Sequence, residues 1–241
     1  MSSHEVVKHS RKILGVVKNK DSGLRHKLGE ILIEILVIVF AISFSFLLER
    51  WRQKAEDREL EKNFLIGLKT DLTADLKELK ESSLKWISMK EAAKYFSRPE
   101  QEIVWSSDST KFYSYGKLFH DIYFFPNISH YESIKSTGKL DVIENKKLQN
   151  DIIDLYQTKI PDLMQEITFF NSFMNTEVLN HLIHNLKRDD KNQAIADKAF
   201  FTNVEMRNLL ALYSDLDDAL RRSDSTIVAG EKILKEIDEM E

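Results

Sequence analysis

Apolar and polar residues alternate along this chain with helical periodicity nearly everywhere, and one stretch breaks the pattern by being almost wholly apolar. Between Ile31 and Leu48 fifteen of eighteen residues are apolar, with Glu34, Ser43 and Ser45 the exceptions. At 1.5 Å per residue, eighteen helical residues cover about 27 Å, close to the hydrocarbon thickness of a bilayer. The run, taken with its flanks as Leu28 to Trp51, predicts a transmembrane helix. A buried core helix of a soluble protein is the competing reading. A cleaved signal peptide fits poorly: the run begins about thirty residues in, exceeds a typical apolar signal core, and offers no small-x-small cleavage site.

Beyond the run, Leu60, Phe64, Leu68, Leu72, Leu76 and Leu79 recur at helical spacing among Glu and Lys, and no proline interrupts before Pro99. The helix is therefore predicted to continue past Trp51 as a stalk to about Phe96. Its apolar stripe fits either a coiled-coil seam between copies or the inner face of an intramolecular bundle. The bundle is preferred, because the heptad is irregular and later segments carry matching faces.

Those segments are a short helix over about 109–120, a turn through Pro126 and Asn127, and a brief helix capped by Ser129 and stopped at Gly138. Next comes a helix from about Lys146, capped by Asn145, to Leu186. Its stripe holds Ile152, Leu155, Tyr156, Ile160, Leu163, Ile167, Phe170, Met174, Leu179, Leu182 and Leu186, and Pro161 should kink or divide it. A polar loop over 187–199 precedes a last helix over 203–240, with Leu209, Leu212, Tyr213, Leu216, Leu220, Ile227, Ile233 and Ile237 inside and Gly230 as its weak point. The expected fold is all-α: one transmembrane helix running into a stalk that packs in an antiparallel helical bundle. Three regions follow: a basic arm (1–27), the span (28–51) and an extramembrane domain (52–241).

Charge adds orientation. Residues 1–27 carry seven Lys/Arg against Glu5 and Asp21, a net of +5, and the whole chain is −4, which leaves −9 for the remainder. A basic flank before a span reads as a topology signal in preference to a nucleic-acid arm, so the N-terminus is expected in the cytoplasm and the C-terminal domain in the periplasm of a bacterial inner membrane. Residues 4–19 suit a short interfacial amphipathic helix or a loosely ordered arm. The chain has no cysteine, so disulfides, thiol catalysis and cysteine-ligated metal sites are excluded.

Within the span, projection at about 100° per residue puts Glu30, Glu34, Ile38, Ala41 and Ser45 within about 40° of one line. A small, polar face is what helix association in lipid uses, and it points to homo-oligomerisation through Glu30, Glu34, Ala41 and Ser45. Glu34 either snorkels to the nearby interface or meets copies of itself. Trp51 suits the aromatic belt at the far interface.

The spacing Glu34-x6-Ala41-x3-Ser45-x5-Trp51, followed by Leu68, Asp71 and Leu72, resembles a family of uncharacterised bacterial single-pass inner-membrane proteins. A second block, Tyr131 to Gly138 and on through Ile143, Asn145 and Leu148 to Leu155 and Tyr156, is similar to that family's other recurring stretch. Where members often carry Gly and Ala in the span, this chain has Ala41 and Ser45. The resemblance implies an anchored helical domain and no known activity.

Motifs of chemistry are scarce. The sequence holds no phosphate-cradling glycine loop, nucleophile elbow or HExxH pattern. His181 and His184 share a helix face without a positioned third ligand, and are read as solvated. His120, Asp121 and His130 flank the Pro126 turn and could converge on a site; they are read in preference as loop groups serving the backbone. The pairs Asp71 with Asp75 and Asp217 with Asp218 are read as solvated helix faces. No catalytic residue, metal site or cofactor is assigned. The expected role is that of a membrane-anchored scaffold or interaction protein whose partners are the bilayer, copies of itself and an unidentified protein, with no nucleic acid. The alternative is a subunit of an oligomeric pore or transport assembly, with Glu30, Glu34 and Ser45 around its axis.

Overall fold

The computed structural model describes residues 24–105, 118–188, 194–195 and 198–240. The arm over 4–19 and most of the helix expected over 109–120 lie outside them. The fold is all-α, built on one 73-residue helix, α1 (Leu24–Phe96). It is followed by α2 (Ser129–Ser136), α3 (Lys146–Asp154), α4 (Ile160–Phe173), α5 (Leu179–Asn185), α6 (Lys198–Thr202), α7 (Val204–Ala211) and α8 (Leu216–Asp238). A two-residue antiparallel pairing, Lys187–Arg188 with Ala194–Ile195, sits where a plain loop was expected. The chain divides into two compact units, one up to Leu60 and one from Glu61.

In the first unit, no side chain described over 28–60 is buried. Leu32, Ile33, Leu36, Val37, Phe40 and Phe46 are each about three-fifths exposed or more. The segment carries a helix long and apolar enough to cross a membrane.

The second unit is a bundle. α8 runs antiparallel to residues 64–96 of α1, while α3 to α5 run alongside in the α1 direction: Ile233 and Ile237 pack with Phe64, Leu68 and Leu72, and Leu216 and Ala219 pack with Leu79 to Phe96. The stripe of the stalk, Phe64 to Leu79, is thus closed within the chain. Burying each such side chain stabilises the fold by about 1.5–3 kcal/mol.

Local signals explain most boundaries. The Asn145 side chain accepts from the N–H groups of Lys147 and Leu148, and Asn203 does the same for Glu205 and Met206. Gly138 adopts φ 68°, and the bonds from Gly138 N–H to Lys135 O and from Lys139 N–H to Ile134 O complete a Schellman stop for α2. Ser129 is not the cap expected: Ile128 holds that position and Ser129 is the first helical residue. Pro161 divides the long helix as predicted, by way of a π turn over Leu155–Lys159 in which Ile160 N–H reaches back to Leu155 O, before Pro161 enters the first turn of α4. Proline has no N–H to donate there, so nothing is lost.

Two expectations are corrected. The helix over 203–240 is broken by a 3-10 turn at Leu212–Asp215, and Leu212 is exposed. The buried face of α8 uses Ala219, Ser223, Thr226 and Gly230. Gly230 is a contact point, since a Cβ there would lie 2.8 Å from Leu76 Cδ2. Small residues at i, i+4, i+7 and i+11 let α8 approach α1 closely, and a hydrophobic-stripe reading passes over them.

Candidate functional site

Three places carry polar groups in organised positions. The first is the face of the apolar segment. Glu34 and Ala41 are half-buried, and Glu30, Ser45 and Trp51 are exposed. The structure sets these residues on a single continuous helix, as predicted. The Ser45 hydroxyl donates to its own Ala41 carbonyl at 2.9 Å, so it is already satisfied within the helix. Phe40 and Phe44 stack at 6.1 Å.

The second is the grip that α1 holds on the turn around Pro126. Asp75, 2 % exposed, accepts from Asn127 N–H at 3.0 Å and from Asn127 Nδ2 at 2.5 Å. Burial pushes the Asp75 carboxyl above the usual carboxylate range, and the Asn127 donors only partly oppose it. One turn earlier Asp71 Oδ2 meets His130 Nδ1 at 2.7 Å, and the imidazole lies against Gly67, where a Cβ would be 2.3 Å from the ring. Gln157 Nε2 donates to Tyr131 OH at 2.7 Å, and Tyr131 stacks on Tyr156 at 4.5 Å. Burial raises the Tyr156 phenol and keeps it neutral. Asp71 and Asp75, read from sequence as solvated, are therefore the anchors of this turn. The only available signal was their i, i+4 spacing on the face that also carries Leu68 and Leu72.

Only the end of the first block quoted above, Leu68 and Leu72, lies in this region with the second. Leu68 and Leu72 from the first share a core with Tyr131, Ile134, Ile143, Leu148, Leu155 and Tyr156 from the second.

The third is a cleft of about 1080 Å³ between α1 and the start of α5, floored by Trp86, Met89, Ile122, Met174 and Val178. Its outer wall is the segment 119–123, held by Asn171, whose Oδ1 accepts from Ile122 N–H at 2.9 Å and whose Nδ2 donates to Ile122 O at 2.8 Å. The side-chain amide thus takes the place of a neighbouring strand. Asp121 on the rim accepts from Tyr123 OH at 2.8 Å and from Asn175 Nδ2 at 3.2 Å. The helix forms a second π turn here, over Met174–Val178, with no proline to require it.

His120, Asp121 and His130 do not converge: the first two line the cleft while His130 turns to Asp71. His181 is buried, against the expectation of a solvated helix surface. Its Nδ1 lies 3.3 Å from Glu205 Oε2, and among the described residues its Nε2 has no partner. His184 is exposed, bonded to the Asn180 carbonyl. Among the described residues, no group of three His, Asp or Glu is placed to hold a metal ion. Comparison of the chain with protein-family models, curated proteins and solved structures finds no match.

Proposed function

We propose that the chain is a single-pass anchor carrying a helical interaction domain, set in a bacterial inner membrane with the basic arm in the cytoplasm and the bundle in the periplasm, and that it assembles with copies of itself through the face of Glu30, Glu34, Ala41 and Ser45. The observation that carries this reading is the exposure of every apolar side chain from Leu32 to Leu48 outside the half-buried Ile38 and Ala41. In water each would forgo about 1.5–3 kcal/mol of transfer free energy, and a bilayer recovers it. Sidedness rests on the +5 arm. The bundle closes its own core and lacks a catalytic constellation among the described residues, which favours docking over chemistry.

Carbonate-resistant membrane association, alkaline phosphatase activity of a fusion after Glu241, and loss of crosslinked oligomers in Glu34→Leu are the expected results. A carbonate-extractable protein removes the anchor, an inactive but expressed fusion reverses the sidedness, and unchanged crosslinking in the variant removes the Glu34 face.

A further inference from the structure

We infer that the cleft between α1 and the Met174–Val178 turn is a binding site for a small organic cation: an amine with a flat or extended apolar body. The volume of about 1080 Å³ suits a drug-sized molecule. Its floor is apolar and polarisable, with Trp86 3 %, Met89 5 % and Met174 5 % exposed. Thioethers beside aromatic rings make favourable contacts with a flat apolar body.

The rim supplies the charge preference. Glu78 and Asp121 both line the cleft, against Lys85 as the lysine among its described lining residues. Asp121 is held by the Tyr123 hydroxyl of the same wall, and Glu78 accepts from Phe125 N–H, two residues past the wall, at 3.4 Å. The Tyr123 ring is 53 % exposed at the same rim. A carboxylate hydrogen-bonded to the hydroxyl of a half-exposed ring, which stacks on Phe125 at 6.0 Å through one face, offers an ammonium group an ion pair and, on the other face, a cation–π contact.

The backbone gives an independent indication. Single π turns inside α-helices are uncommon and concentrate at functional sites. The turn at Leu155–Lys159 is accounted for by Pro161. The turn at Met174–Val178 has no such cause, and it contributes Met174, Asn175 and Val178 to the cleft. Asn175 Nδ2 donates to Asn171 O at 2.8 Å as well as to Asp121, so one side chain joins the irregular backbone to the rim carboxylate.

The site does not depend on the anchoring role proposed above. The test uses the full chain in lipid nanodiscs, whose formation reports separately on that role, with empty nanodiscs subtracted. Three probes share one body: 4-phenylbutylamine, 4-phenylbutanol and 4-phenylbutyrate, titrated by saturation-transfer NMR. The amine is expected to bind roughly tenfold or more tightly than the alcohol, the value for one hydrogen bond to a charged group, and the carboxylate more weakly still. Asp121→Asn should erase the preference for the amine, and Lys85→Glu, on an exposed helix position, should strengthen amine binding several-fold. The second variant decides the matter if the first fails to fold. Equal binding of amine and alcohol, tighter binding of the carboxylate, an unchanged ratio in Lys85→Glu, or no binding of the amine above empty nanodiscs overturns the inference.

Discussion

Asp75 shows how a single buried carboxylate can hold a turn at a cost that depends on pH. Its carboxyl titrates above the 3.8 it has in the unfolded chain. A raised folded value means that its contribution to stability is fully present below pH 3.8 and declines as pH rises through the folded value. Asp75→Asn removes that titration while also replacing one acceptor with a donor facing Asn127. The stability gap between the native chain and Asp75→Asn, measured by urea unfolding, should therefore be wider near pH 4 than near pH 7. A gap that widens towards neutrality would mean that the ionised carboxylate is the stabilising form.

The pair Ser83 and Ser223 is a second residue-scale feature, with hydroxyl oxygens 2.6 Å apart in a buried setting. Either serine changed to alanine leaves one buried hydroxyl unpaired, at a cost of about 1–3 kcal/mol, whereas changing both removes donor and acceptor together. A double-mutant cycle in thermal or urea unfolding should give a double variant less destabilised than the sum of the singles. Strict additivity would show that the hydroxyls do not depend on one another.

At the scale of elements, the seam between α1 and α8 follows from residue size. Large Leu76 faces Gly230, and Ser83 faces Ser223. Gly230→Val places branched carbons into Leu76, and the overpacking should cost about 1–3 kcal/mol, read from the urea midpoint. Salt bridges along the same seam, Lys80 with Glu231 and Lys69 with Asp238, lie at the surface and contribute at most about 1 kcal/mol each. The long helix before α5 was legible in its stripe from Ile152 to Met174, in its Asn145 cap and in its Pro161 break. Past Met174 the stripe no longer marks the core: Val178 and His181 are buried, while Leu179 is exposed and lines the cleft with Leu182. Two apolar faces are present in that stretch, and periodicity alone does not say which one meets the core.

At the scale of the molecule, a chain starting at Glu61 contains every buried side chain among the described residues. Removal of residues 1–60 should therefore leave a water-soluble, helical domain with a cooperative thermal transition, detected by circular dichroism. Aggregation or loss of the transition would show that the apolar segment is needed for the bundle to fold.

The sequence by itself determined the apolar run, the all-α class, the stripe of α1, the glycine stop at Gly138 and the Asn145 cap, because each depends on composition or on neighbours a few residues away. Tertiary structure decided the rest. Whether Asp71 and Asp75 face water or a turn some fifty residues later depends on which segment lies across them, and local spacing carries no record of that. The cleft has the same origin: Glu78, Asp121 and Asn175 line it from distant parts of the chain, and Asn171 holds the backbone of Ile122 in its wall.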